Sequence, residues 1–379
     1  MTTTLAALLG GRSRSSLLLI GGLLVCSVVF LWQLPFFARS GFDDLLTNLW
    51  YHAYTLIWLL VITALGRTLP LRILAAAFFV GVFPSMAVSL AIGQPLANLL
   101  GASNPLFKAV LVPGLEESAK ALPILLFFWF LARRGTWQPS MSDGLLLGFL
   151  VGAGFALHED AIYGRSFGGG FAVSDLAVVF PTIDDKRLIG GGRAFGFYHA
   201  QWTALLGLSI GAAFFFRQRF RLWRFIPVAA LAVVWLDHGR VNFVFDILQR
   251  GNAVSGVLNA LTLQGRLPIF VLLAGIVTAI VTEVWVLRTM ARRDSLFKAI
   301  ALTTLLSWLR VGGVAALRRI QAAREYIRAR RSTHYALWRA RPGGIDPQQV
   351  TGMGLMLVGL GERAGLTFAG GAKEKPASI

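Results

Sequence analysis

The sequence has few charged residues and a single cysteine, and each shortage excludes a class of protein. Charged residues make up 14% of the 379 residues, against roughly 25% in ordinary soluble domains. A soluble globule of this size cannot bury the surface of a chain that is 56% hydrophobic, and a disordered chain has the opposite composition. Cys26 alone cannot build a disulfide scaffold or a cysteine-ligated metal site. With a mean hydropathy of +0.66, the chain is predicted to be an all-α polytopic membrane protein.

Eight apolar segments are long enough to be membrane helices, since a helix needs about 20 apolar residues to cross the hydrocarbon core. No small-residue cleavage site follows the first segment, which indicates an uncleaved helix rather than a signal peptide. We therefore predict a transmembrane helical domain over residues 1–290. Its eight segments span about residues 16–37, 49–66, 73–94, 106–132, 143–164, 194–216, 225–247 and 267–290.

Basic residues are concentrated in alternate loops, and this asymmetry predicts the orientation. The loops after the second, fourth and sixth segments carry arginines and no Asp or Glu. The intervening loops carry most of the loop acids. Because Lys and Arg are enriched in cytoplasmic loops, both termini are expected in the cytoplasm, with the chain in the cell membrane.

The tail beyond the last segment carries much of the positive charge. From Arg288 onward there are 16 Lys and Arg and 5 Asp and Glu, so 16 − 5 gives +11 of the net +18. Apolar residues recur at helical spacing over 297–308. We therefore predict a basic amphipathic helical region over 291–341 on anionic lipid, with a short ninth span as the alternative and no nucleic-acid partner. Residues 342–379 are predicted to be poorly ordered.

Five ionisable side chains in the predicted spans come at one depth. A charge at the bilayer centre costs a few kcal/mol, so each such residue needs a reason. When successive spans are read in opposite directions, Glu116, Glu117, Glu159, His199 and His238 all lie between the midplane and the outer face. Independent core residues would not be expected to share a depth. We therefore predict that they form one polar site.

Spacing along the helices adds detail to this site. Glu116 and Lys120 are four residues apart, so we expect them to form an ion pair on one helix face, while Glu117 points about 100° away. His238 and Asn242 share the same spacing and can point at one substrate atom. The Glu–Lys pair alone could equally be a buried ion pair that fixes helix packing.

The other intramembrane polar groups are interpreted as structural. His158 points away from Glu159, and no second histidine follows at the spacing of a His-Glu-x-x-His zinc helix. Three aspartates are expected to be hydrated near the outer surface, Glu283 to pair with arginines on the inner side, and two isolated histidines to be structural. These aspartates are Asp160, Asp237 and Asp246, and the histidines are His52 and His334.

Four motifs on successive predicted helices resemble those of the PrsW-type intramembrane proteases. They are Glu-Glu-x-x-Lys at 116–120, Phe-x-x-x-Glu at 155–159, the lone His199, and His-x-x-x-Asn at 238–242. The resemblance covers about residues 106–247, and the wider group that it implies includes the type II CAAX prenyl endopeptidases. His158 and Asp160 depart from the expected pattern, which has a neutral residue and an amide at those positions.

The resemblance implies an intramembrane endopeptidase acting on a membrane-anchored protein or peptide, by a metal-dependent or a glutamate-type mechanism. Peptide hydrolysis needs an activated water and donors for the oxyanion, and a partly desolvated glutamate suits the general base. Two histidines and a carboxylate can also hold Zn²⁺ and leave a fourth position for water. The candidate catalytic residues are Glu116, Glu117, Glu159, His199, His238 and Asn242. The candidate zinc ligands are Glu159, His199 and His238.

Within this set, a glutamate of the fourth span is the expected base, and Glu116 is favoured because Lys120 can poise it. Without a metal, His238 and Asn242 would be the oxyanion donors. Two other classes remain open: a proton-coupled transporter that uses the same Glu, His and Lys groups as a relay, and a non-catalytic membrane scaffold. The sequence shows no inverted repeat of the kind that many transporters carry.

Overall fold

The computed structural model describes residues 42–134, 137–163, 197–219, 221–243, 253–293 and 313–339, together with positions 31, 35, 357, 359 and 360. Within these ranges the chain is helical and forms no strand, so the predicted all-α class is confirmed. We number the helices of the described ranges in chain order. They are α1 Phe42–Ile62, α2 Leu71–Leu100, α3 Val112–Arg134, α4 Met141–Tyr163, α5 Phe197–Phe216, α6 Phe225–Val241, α7 Ala253–Leu261, α8 Leu267–Arg293 and α9 Gly313–Arg339.

Four of these helices are long and apolar enough to cross a membrane. They contain the segments Leu71–Leu100, Met141–Glu159, Tyr198–Phe216 and Leu267–Ala291. The last seven segments predicted from the sequence each coincide with one helix, α1 to α6 and α8. The first predicted segment, 16–37, lies outside the described residues except at two positions, and the short helix α7 was not predicted.

The antiparallel pair of α4 and α5 is the centre of the protein. Glycines recur at every fourth position along α4, and a Cβ at Gly148 would lie 2.1 Å from the carbonyl oxygen of Thr203. Gly144 makes the same close approach to Gly207, and Gly152 to the backbone of His199. Small residues at this spacing let two helix backbones pack in direct contact. This contact fixes the position of His199 against the end of α4.

A wide π turn in α2 fits that helix to the opposite side of α4. The turn spans Gly81–Ser85 and contains Pro84, which cannot donate a backbone hydrogen bond. A Cβ at Gly81 would lie 2.0 Å from the carbonyl oxygen of Val151, and one at Gly154 would lie 2.1 Å from that of Phe78. With α5 on one side and α2 on the other, the apolar part of α4 is enclosed by protein along its whole length.

The basic helix α9 packs against the protein at the end of the bundle where α4 begins. Tyr335 donates a hydrogen bond to the carbonyl oxygen of Gly66 at 3.0 Å, and the backbone N–H of Gln138 donates to Ser332 Oγ at 2.7 Å. The Trp338 ring stacks on Phe215 with the ring centres 5.0 Å apart. The apolar stretch 297–308, on which the amphipathic prediction depended, lies outside the described residues.

Two further contacts at this end concern residues interpreted from the sequence. Glu283 was expected to pair with arginines, but its carboxylate accepts hydrogen bonds from Ser142 N at 2.8 Å and Ser142 Oγ at 2.5 Å. The physical reason is that the first backbone N–H groups of a helix lack partners within the helix, and Ser142 is in the first turn of α4. At the other end of α4, the buried His158 Nδ1 lies 2.5 Å from the carbonyl oxygen of Val82, which fits the structural role expected for it.

Candidate active site

The site forms where one end of each of four helices meets. Because α3 to α6 run alternately up and down, the beginnings of α3 and α5 lie beside the ends of α4 and α6. The approach of α3 to α6 is close, since a Cβ at Gly239 would lie 2.4 Å from the carbonyl oxygen of Ala109. Asn242 Nδ2 donates to the carbonyl oxygen of Lys108 at 3.0 Å, within the π turn Phe107–Leu111 that leads into α3. This register places the two glutamates of α3 opposite His238.

Glu117 is the central carboxylate of the site. Its side chain is fully buried, and Oε1 accepts hydrogen bonds from Lys120 Nζ at 2.5 Å and from His238 Nδ1 at 2.9 Å. The same oxygen lies 3.9 Å from His199 Nδ1. Lys120 is also fully buried, and its ammonium lies 4.5 Å from the centre of the Phe155 ring. A buried carboxylate of this kind is tolerated because a buried cation and a ring N–H compensate it.

The prediction that Lys120 pairs with Glu116 is wrong. Lys120 pairs with Glu117, three residues before it, instead of with Glu116, four residues before it. Residues three and four apart both neighbour each other on a helix surface, so spacing alone does not decide between them. The decision comes from the other helices: α5 and α6 place His199 and His238 on the side of α3 where Glu117 and Lys120 face.

His199 is held by a hydrogen bond at each ring nitrogen. Nδ1 lies 2.7 Å from Lys120 Nζ, and Nε2 lies 2.5 Å from Glu159 Oε2. An ammonium group only donates hydrogen bonds, so Nδ1 accepts, and Nε2 carries the proton that it donates to Glu159. The contact therefore selects one tautomer of His199 and links α4 to α5 at the site.

Glu116 and the two histidines form a group that could hold a metal ion. One possible ligand atom from each of Glu116, His199 and His238 lies within 4.8 Å of the others, and Glu116 Oε2 is 3.8 Å from His238 Nε2. Tetrahedral zinc with bonds of about 2.0–2.1 Å brings ligand atoms to about 3.4 Å from each other, so small side-chain movements suffice. His238 fits this role directly. Its Nδ1–H donates a hydrogen bond to the Glu117 carboxylate, as metal-ligating histidines usually do, and this leaves Nε2 for the metal.

His199 could hold a metal only by giving up one of its two hydrogen bonds. Ligation through Nδ1 would displace Lys120 and keep the present tautomer, whereas ligation through Nε2 would displace Glu159 and need the proton on Nδ1. Glu159, a ligand candidate from the sequence, lies against His199 Nε2 but is not in the group of three within 4.8 Å, where Glu116 takes the carboxylate position. Two imidazoles and a carboxylate are a suitable donor set for Zn²⁺.

The three glutamates differ in their access to solvent. The side chain of Glu117 has no exposed surface, whereas those of Glu116 and Glu159 are 14% and 15% exposed. A substrate or a water molecule can therefore reach Glu159 and part of the Glu116 side chain, although Glu116 Oε2, the oxygen nearest His238, is itself buried. Glu117 is enclosed by Lys120 and His238.

Three residues next to the histidines were not assigned to the site from the sequence. Trp202 stacks on His238, and its indole N–H donates to Asp237 Oδ2 at 2.9 Å. Asp237 was expected to be hydrated but is buried, because Arg240 Nε donates to its other oxygen at 2.9 Å. The spacing of Asp237 and Arg240 by three residues was a visible signal for this pair. The side chain of Asp160 and the whole of Asp246 lie outside the part of the chain that the structure describes.

The comparison with known families agrees with this geometry. The sequence model of the PrsW family of intramembrane metalloproteases matches residues 69–276, which is more than half of the chain. The chain belongs to the PrsW family. The resemblance seen in the four motifs is thereby confirmed, and the match is wider than the predicted core of 106–247. No curated protein and no solved structure matches the chain.

Membership of the PrsW family gives the four-helix site a chemical class. The matched residues include all of α2 to α6, and therefore every glutamate and histidine of the site. The family is one of membrane-embedded proteases, so the chain is an integral membrane protein of the hydrolase class.

Proposed function

We propose that this PrsW protein is an endopeptidase that hydrolyses a peptide bond of a membrane-anchored protein or peptide at the meeting point of α3 to α6. The observation that carries this proposal is the pair of contacts to His238: Glu117 at Nδ1, 2.9 Å away, and Glu116 at Nε2, 3.8 Å away. One carboxylate orients the imidazole and the other lies where a water could be held between them. A packing ion pair alone would not need the second carboxylate.

The proposed general base is one of the two accessible glutamates. A base must come within hydrogen-bond reach of the attacking water, and Glu117 is enclosed and already accepts two hydrogen bonds. Glu159 lies 2.5 Å from His199 Nε2 and accepts the proton of that nitrogen as a hydrogen bond, so His199 holds the carboxylate in place while Glu159 takes a proton from the attacking water and returns it to the leaving amine. We therefore assign proton transfer to Glu159, with His199 orienting it.

Glu117 and Lys120 have an orienting role in this proposal. Because His238 Nδ1–H is given to Glu117, His238 Nε2 presents its lone pair towards Glu116. Lys120 compensates the charge of Glu117 and also fixes His199 through Nδ1. Asn242, a candidate oxyanion donor from the sequence, donates its amide N–H to the carbonyl oxygen of Lys108. That contact supports a role for Asn242 in setting the register of α3. His238 could donate to the oxyanion only with a second proton, on Nε2.

If the protein uses a metal, Glu116, His199 and His238 are the residues proposed to hold it. When bound, Zn²⁺ would polarise the scissile carbonyl and make a bound water more acidic. The geometry favours Glu116 over Glu159 as the carboxylate ligand, since Glu116 belongs to the compact group with both histidines. The choice leaves Glu159 for proton transfer. If the protein uses no metal, Glu116 and Glu159 are the two carboxylates that a water can reach.

Glutamate-to-glutamine variants and zinc content together test the proposal. The reporter substrate is found first, by screening a library of single-span fusion proteins in cells for one that the wild-type protein cleaves. Glu116→Gln and Glu159→Gln should both abolish its cleavage while the protein still accumulates in the membrane, because glutamine has nearly the same shape. Glu116→Gln should also lose bound zinc, whereas Glu159→Gln should keep it.

The outcomes separate the competing mechanisms. Zinc retained by Glu116→Gln and lost by Glu159→Gln would reassign the ligand and the base to the opposite residues. Cleavage that survives complete chelation would exclude a catalytic metal and support the glutamate-type mechanism. Full cleavage by both glutamine variants would overturn the protease site itself and leave a proton relay or a packing cluster. His52→Gln, a buried histidine outside the site, is a matched control for the loss of a polar buried group.

The proposed topology follows from loop charge and the helices together. We propose eight spans with both termini in the cytoplasm, so that the site opens in the outer half of the cell membrane. The described arginines around α9 support a cytoplasmic face near anionic lipid headgroups, and the tail 291–341 is the proposed contact. Residues 1–290 would then be the transmembrane domain, and 342–379 an extension beyond it.

A further inference from the structure

The aromatic side chain of Trp202 lies against both histidines of the site. Its ring centre is 4.4 Å from that of His238, with the rings nearly parallel at 23°. The ring centre of His199 is 5.4 Å away, with the rings perpendicular at 87°. Trp202 itself is 1% exposed, so neither substrate nor solvent reaches it. Its contacts are therefore with the catalytic machinery and not with the substrate.

A hydrogen bond at its far edge fixes the indole in this position. Trp202 Nε1 donates to Asp237 Oδ2 at 2.9 Å, and Asp237 Oδ1 accepts from Arg240 Nε, also at 2.9 Å. Tyr198 stacks on the indole with the ring centres 5.2 Å apart. Both carboxylate oxygens of Asp237 are thus occupied, and the carboxylate is 1% exposed. The contacts of Asp237 therefore lead to His238 through Trp202.

The turn between α7 and α8 packs against Arg240, on the side away from Trp202. Gly265 has a φ of +87°, and a Cβ there would lie 2.2 Å from Arg240 Nη2. Only glycine adopts this backbone conformation readily and also leaves room for the guanidinium. Arg240 is 6% exposed, so the turn covers it. A continuous series of contacts therefore runs from this turn through Arg240, Asp237 and Trp202 to His238.

We propose that Trp202 is a positioning residue that holds the His238 and His199 rings in their working orientation, with Asp237 and Arg240 as its tether. Among the described residues, His238 is otherwise held by one hydrogen bond, at Nδ1, about which the ring could tilt. The indole face closes one side of the ring and removes this freedom. This inference rests on the proposed protease function.

Two substitutions at residue 202 separate the tether from the ring. Trp202→benzothienylalanine keeps the volume and the stacking surface and replaces only the N–H by sulfur. Trp202→Phe removes the N–H and part of the stacking surface. Both are measured against the selected single-span reporter in detergent, with the melting temperature of each variant recorded. Trp129→Phe, at an exposed tryptophan of α3, is the matched control.

The expected result is a fall in kcat with little change in KM. Loss of a residue that orients a site histidine typically costs about 10–100-fold. We expect about 10-fold for the benzothienylalanine variant and up to about 100-fold for Trp202→Phe, with KM within about twofold and kcat of the control unchanged.

Three results would overturn the inference: wild-type kcat in both variants, a rise in KM with kcat unchanged, or loss of folding in the isosteric variant. The last would show that the N–H bond serves stability and not orientation. A wild-type protein that cleaves the reporter no faster than Glu116→Gln would instead refute the proposed function itself.

Discussion

Replacing Lys120 by methionine should destabilise the protein strongly, because it leaves the Glu117 carboxylate buried without its counter-ion. Both side chains have no exposed surface, and the two charged atoms lie 2.5 Å apart. At an effective dielectric constant of about 20, two unit charges at that distance attract by about 7 kcal/mol, and the cost of desolvating both ions offsets part of this. Removing one partner of a buried pair costs about 3–5 kcal/mol. Lys120→Met should therefore lower the free energy of unfolding by about that amount.

The double variant Lys120→Met with Glu117→Gln tests the electrostatic reason for this loss. It removes both charges, and the glutamine can still accept the hydrogen bond from His238 Nδ1. Replacing both members of a buried ion pair by uncharged residues often changes stability little, so the double variant should regain most of the lost stability. Lys108→Met, at a partly exposed lysine, should change the unfolding free energy by no more than about 0.5 kcal/mol.

The assay is thermal unfolding of the purified variants in detergent, with the amount of folded protein in the membrane measured beside it. A loss of about 3–5 kcal/mol corresponds to roughly 6–20 °C in Tm, at about 2–4 °C for each kcal/mol. If Lys120→Met melts at the wild-type temperature, or if the double variant is no more stable than the single one, the ion pair does not compensate Glu117 and the reasoning is refuted.

Three further predictions follow from the helix packing, the metal group and the loop charges. Gly148→Ala should abolish folding, because its Cβ would meet a backbone oxygen at 2.1 Å, whereas Gly256→Ala in open space should melt normally. Purified wild-type protein should contain zinc that a chelator removes, and Glu116→Gln should contain none; equal zinc in both would exclude Glu116 as a ligand. Reporter fusions after residues 140 and 220 should both read as cytoplasmic, and an external reading of either would reject the proposed topology.

Much of the fold could be predicted because a membrane imposes a simple length rule on apolar segments. Each of the segments from 49–66 to 267–290 contains a helix. The layer of glutamates and histidines could be predicted from alternate helix directions alone. The two π turns could not, since they depend on how α2 fits against α4 and how α3 fits against α6. The helix α7 has nine residues, which is too short for the length rule to detect.

The partners within the site could not be predicted because they depend on helix rotation, which hydropathy does not determine. Asp237 illustrates this: near the end of an apolar segment, an aspartate is equally compatible with hydration at the membrane surface and with a buried pair. Arg240, three residues later, could be expected to pair with Asp237. The second partner, Trp202, lies on another helix and links Asp237 to the site. No pattern within α6 refers to Trp202. Only the packing of α5 against α6 brings the indole to the carboxylate.

Glu116 and Glu117 show how one such rotation divides two adjacent carboxylates between different tasks. Both lie near Lys120 on the helix surface, but the helix step of about 100° between them makes them face different neighbouring helices. Had Lys120 paired with Glu116, as expected from the sequence, Glu117 would have been the carboxylate left for a water or a metal. Because Glu117 takes the lysine and His238 Nδ1, the partly exposed Glu116 remains opposite His238 Nε2. The packing of α5 and α6 against α3 therefore decides which of the two glutamates pairs with the buried lysine and which stays partly exposed.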